Sequence, residues 1–113
     1  MNIEWFREYC LSKEHVTEEI PFGPDTLVFK VKGKMFALTG LDDVPGSCNL
    51  KCEPDRALTL REKYSSIMPG YHMNKKHWNT VLWDGSVPDT LILELVNHSY
   101  DLVRAGLARK DTP

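Results

Sequence analysis

The residues best suited to chemistry are three cysteines and four histidines. Cys48-x3-Cys52 followed by His72-x4-His77 has the outline of a zinc site, which pairs thiolates with imidazoles. The gap between the two pairs is longer than the roughly 12 residues of a zinc finger. Ser47 to Cys52 also reads as a strand, with Cys48, Leu50 and Cys52 on one face and Asn49 and Lys51 on the other. Residues four apart on a strand stand about 13 Å apart, and zinc–sulfur bonds are about 2.3 Å. The expectation is therefore two core cysteines behaving as small hydrophobes, and no metal site.

Glu4, Glu8, Glu14, Glu18 and Glu19 crowd the first part of the chain, as a ridge for hard cations would. Arg7 and Lys13 interrupt them, and solvated charge is the expected role. His77 and His72 titrate near neutrality and suit acid–base work. His15 and His98 stand apart from them. No glycine-rich nucleotide loop and no nucleophile elbow accompanies these groups. The chain reads as a binding protein without cofactor, not an enzyme.

A basic and aromatic surface is the strongest candidate site. If Leu27, Phe29 and Val31 face inward along a strand, Lys30 and Lys32 face outward, and Lys51 joins them from the next strand. Tyr71, Lys75, Lys76, His77 and Trp78 add cations and rings close by in sequence. Lysines track phosphates and aromatic rings stack on bases, so DNA fits. An acidic protein partner fits the same surface.

These residues sit in a chain of 113, the size of one domain spanning 1–113. Such a length buries roughly two thirds of its unfolded surface, enough for a core without staples. The apolar fraction is 42% and the charged fraction 27%, ordinary for a globular protein. The formal net charge of −2 and pI near 6.1 exclude a domain that is basic all over, so phosphate contact needs a local patch. An odd cysteine count, an opening Met1-Asn2-Ile3-Glu4 without a basic leader and the lack of a long apolar run lead us to expect a cytoplasmic protein with no membrane association.

Local patterns divide the chain into elements. Asn2 caps a first helix whose Ile3, Phe6 and Cys10 share a face. Lys13 to Thr26 is a polar connection broken by Pro21, Gly23 and Pro24. Leu27–Lys32 and Lys34–Thr39 form a hairpin turning near Gly33. Glu53-Pro54-Asp55 opens a second helix, with Ala57, Leu60 and Tyr64 as its stripe. Pro69-Gly70 breaks the chain, and a strand centres on Thr80–Trp83. The last helix starts near Ser86–Asp89, where those two residues fit a capping box, and carries Ile92, Leu95, Val96, Ser99, Val103 and Leu107 at helical spacing. The predicted class is α+β: a single antiparallel sheet with the helices on one face and the other face free.

Ile20-Pro21-Phe22-Gly23, the hairpin Phe29 to Phe36, the segment Tyr71 to Trp78, and Ser99-Tyr100-Asp101-Leu102-Val103 together resemble the MmcQ/YjbR family over nearly the whole chain. The resemblance implies a bacterial protein, a CyaY-like (frataxin-like) α+β fold and a DNA-binding role. A protein-interaction or small-ligand role for the same face stays open beside it.

Overall fold

Among the described residues the elements run α1 (Ile3–Leu11), β1 (Val16–Glu19), β2 (Thr26–Val31), β3 (Lys34–Gly40), β4 (Ser47–Lys51), α2 (Pro54–Lys63), β5 (Ile67–Pro69), β6 (Trp78–Leu82) and α3 (Asp89–Lys110). The computed structural model describes residues 1–71 and 73–110, with side chains as far as residue 107, so His72 lies outside the described residues.

Two helices start as their sequences predict. The Asn2 side chain accepts the Trp5 amide at 2.9 Å. The Glu53 carboxylate accepts the Asp55 and Arg56 amides at 3.1 and 2.9 Å, with Pro54 in the first turn. The start of α3 differs from the expected capping box. The Ser86 hydroxyl bonds Asp84 and Ser66, each at 2.7 Å, and Asp89 holds the amino group of Met1 at 2.9 Å. Ser86 stands two residues before Pro88, which holds the N-cap position of α3, so its hydroxyl turns to these side chains and not to the helix amides. The carbonyl of Pro88 opens the helix instead, accepting from Leu91 and Ile92.

The strands form one sheet in the order β1-β2-β3-β4-β6-β5, antiparallel at every junction. Leu27, Phe29, Val31, Cys48, Leu50 and Val81 face the helices and meet Phe6 and Cys10 of α1, Ala57 and Leu60 of α2, and Ile92, Val96 and Val103 of α3. The α+β class and the one-sided helices are thus as expected.

Two strands were not legible as such. β1 lies within the stretch read as a polar connection. It pairs with β2 from Val16↔Val31 to Glu19↔Val28, and Arg7 of α1 clasps Glu18 through two bonds of 2.7 and 2.5 Å. Backbone pairing and two surface ion pairs, Arg7–Glu18 and Lys30–Glu19, hold it, and Val16 alone packs on the core, so it carries little apolar signal. β5 is three residues long, too short to show a period.

The β2–β3 hairpin turns through Lys32 (φ 49°) and Gly33 (φ 84°), the two left-handed residues of a type I′ turn. Lys32 is therefore a turn residue and not the outward strand residue that alternation predicted; the strand stops at Val31. The register shifts between Phe29↔Ala37 and Lys30↔Met35, which leaves Phe36 as an extra residue on β3. Phe36 and Ala37 both join the helix-side core in consequence.

The outer face of the sheet is not free. Val28, Leu38 and Trp78 form a second buried cluster there, with Met35 and Met73 packed against it. The approach is close: a Cβ at Gly70 would lie 2.8 Å from that of Trp78 and 3.0 Å from that of Met73. Asn74 turns the chain by accepting the Lys76 and His77 amides at 3.0 and 3.3 Å. From α2, Arg61 bonds Asn79 at 2.7 Å and the carbonyls of Lys75 and Trp78.

Candidate anion-binding site

Register decides which charges meet. Val16 pairs with Val31, Val31 with Lys34, Leu50 with Ala37, and Lys51 with Trp78. The β2–β3 turn, the end of β4 and the start of β6 therefore lie at one end of the sheet. Lys32, Lys34 and Lys51 stand there together with residues 75–77. The C-terminal half of α3 reaches the same end, where Leu102, Val103, Gly106 and Leu107 line a groove with Lys34, Met35, Lys51 and Trp78. The groove's volume is about 360 Å³.

The opposite end is acidic by the same pairing. Glu19 closes β1, Asp25 precedes β2, Asp42 and Asp43 follow β3, and Asp84 and Asp89 lie between β6 and the first turn of α3. The separation is partial, since by the same pairing Glu14 before β1 and Glu53 and Asp55 after β4 lie at the lysine end.

The predicted site residues divide accordingly. Lys30 points to the outer face, as alternation predicts, but its ammonium lies 2.8 Å from Glu19 and is neutralised there. Lys51 is half-buried at the basic end, and no ion pair holds it among the described residues. Lys75 and Lys76 are exposed in the turn before β6, and Lys75 also donates to the Gly70 carbonyl at 3.3 Å. His77 is half-buried, and its carbonyl accepts the Cys52 amide at 2.7 Å. Trp78, read as a stacking ring, is only 9% exposed because it fills the outer-face cluster. Tyr71, at 71% exposure, is the accessible ring of that segment. Sequence reasoning missed Lys34 as a site residue. Its signal was present, since a two-residue turn at Lys32-Gly33 brings Lys34 to the same rim.

A family model described as YjbR matches residues 11–102. The chain belongs to the YjbR family. It is 47% identical over 92 residues to uncharacterised protein YbdF of Escherichia coli O157:H7, covering 80% of this chain and 75% of that one. It is 34% identical over 100 residues to uncharacterised protein YjbR of Escherichia coli K12, covering 88% and 85%. The crystal structure of Deinococcus radiodurans protein DR2400, with a domain described as DUF419, superposes with a TM-score of 0.87 at 45% identity, covering 90% of this chain and 78% of that one. The family resemblance read from the residues and the α+β fold are both shown by these matches. The frataxin-like label goes further than they do.

Within this YjbR chain the three cysteine thiols are free and buried. Burial pushes the Cys48 thiol up to about 12, raises Cys10 further, and raises Cys52 as well. Protonated thiols shut into a core are poor nucleophiles and poor ligands. No group of His, Cys, Asp and Glu fit to hold a metal occurs among the described residues. His98 is lowered, first by burial and then by Arg56, and its Nε2 accepts the Glu53 amide at 3.1 Å. It serves as a neutral brace between α3 and the start of α2. No helix of the described residues is long and apolar enough to cross a membrane.

Proposed function

We propose that this YjbR-family chain is a DNA-binding module that sets the basic end of its sheet against phosphates. One observation carries the reading: Lys32, Lys34, Lys51, Lys75 and Lys76, from three separate stretches of chain, gather at one end of a molecule whose net charge is negative. Lys30 drops out of the set, because Glu19 already holds it. The burial of Trp78 removes its stacking role, so contact runs through the phosphate backbone and reads little sequence. The reading assigns no reaction, in keeping with buried protonated thiols, and it places the chain in the bacterial cytoplasm with its DNA. The test is titration of the protein against a labelled duplex at several salt concentrations. Affinity is expected to fall as salt rises, by about 0.9 in the log–log slope per phosphate neutralised. Failure to bind at the lowest salt overturns the proposal.

A second reading, a ligand- or protein-binding domain without nucleic-acid activity, draws on a different observation. The groove beside these lysines has an apolar lining that a phosphate backbone leaves unused.

A further inference from the structure

We propose that the groove at the basic end binds a small amphiphilic anion, with an apolar chain or ring on its floor and a carboxylate or phosphate head against Lys34 and Lys51. This goes beyond the DNA reading and does not depend on it. Met35 and Trp78 come from the sheet and Leu102, Val103 and Leu107 from α3, so the floor is apolar on both sides. The volume of about 360 Å³ lies within the roughly 300–1,000 Å³ of pockets that hold small molecules. At Gly106 the helix wall recedes, and a Cβ placed there would meet no atom within 4 Å. The absent side chain leaves open the space a ligand's apolar part would occupy.

Charge selects the head group. Lys34 and Lys51 are the charged residues of the lining, and neither ammonium is held in an ion pair among the described residues. Lys51 is half-buried, where an unpaired cation costs more than it would in open water. An anion of the right reach offsets that cost and leaves its apolar part on the floor. A neutral apolar molecule leaves it unmet, and a bare inorganic anion leaves the floor wet.

Calorimetric titration of the full chain with octanoate and with octyl phosphate tests the idea, with octanol and inorganic phosphate as controls. Either anion is expected to saturate one site per chain, and the tighter of the two names the head group. Octanol and phosphate are expected to bind at least about tenfold more weakly, which is 1.4 kcal/mol. Gly106→Trp should fill the groove and abolish binding while leaving the salt-dependent response to DNA intact, so the two readings fail separately. Lys34→Ala with Lys51→Ala should weaken the anion about tenfold with the fold retained by circular dichroism. If Gly106→Trp does not fold, amide shift mapping on the unaltered chain decides, with changes expected at Met35, Trp78, Leu102, Val103 and Leu107. No saturable binding, equal binding of octanol, or shifts centred elsewhere overturns the proposal.

Discussion

The Ser99 hydroxyl stands where the β3–β4 ladder parts. It donates to the Phe36 carbonyl at 2.5 Å and accepts the Lys51 amide at 2.9 Å. The shifted register leaves Phe36 without a β2 partner, and the β3–β4 pairing stops at Ala37↔Leu50. One side-chain oxygen from α3 thus serves a carbonyl of β3 and an amide of β4 beside the groove. Ser99 is fully buried, so water cannot replace it. Ser99→Ala is expected to cost about 2–6 kcal/mol, since it strands two groups at about 1–3 kcal/mol each. Urea denaturation measures this, with Ser65→Ala, an exposed site, expected within about 0.5 kcal/mol of the parent. The periodicity of α3 places Ser99 on the buried stripe correctly. The polar residue at that apolar position was the legible sign of a buried partner. Its identity was not legible, because the bulge at Phe36 is a product of strand register.

At the level of elements, the hairpin shows how one turn decides the position of the site. A type I′ turn needs two residues in left-handed conformation, and here one of them is Lys32. For a residue with a Cβ that conformation costs roughly 1–2 kcal/mol, less for asparagine, which hydrogen-bonds locally. Lys32→Asn is therefore expected to stabilise the fold by up to about 1 kcal/mol, and Gly33→Ala to destabilise it by a similar amount. Thermal melts of the two variants should shift in opposite directions. Alternation placed Leu27, Phe29 and Val31 on the helix side correctly, but carried Lys32 one residue too far, because period two does not mark where a strand gives way to a turn. α1 and α2 were legible from their caps and stripes, α3 from its stripe alone, and β6 from its apolar run. β1 was not legible because its support is a ladder and two ion pairs, none of which repeats in sequence. The covering of the outer face by Met73 and Trp78 escaped for a related reason: that contact depends on a loop folding back over the sheet.

For the molecule as a whole, the location of charge matters more than its sum. The longest strand, β3, has seven residues, so the two ends of the sheet stand about 20 Å apart at about 3.3 Å per residue. That exceeds the Debye length of about 8 Å at physiological salt, and a polyanion at the basic end is largely screened from the acids at the other. Lys34 and Lys63 separate these effects. Both are exposed lysines, but Lys34 opens β3 at the basic end, whereas α2 runs from beside Lys51 toward the other end and carries Lys63 in its last turn. Lys34→Glu and Lys63→Glu change the net charge identically. If the basic end is the contact, Lys34→Glu is expected to weaken duplex binding about tenfold and to shallow the log–log salt slope by about 0.9, the share of one phosphate contact. Lys63→Glu should leave both nearly unchanged. Equal weakening by the two variants would mean that DNA senses only the overall charge, and the clustering of lysines by strand register would then have no part in binding.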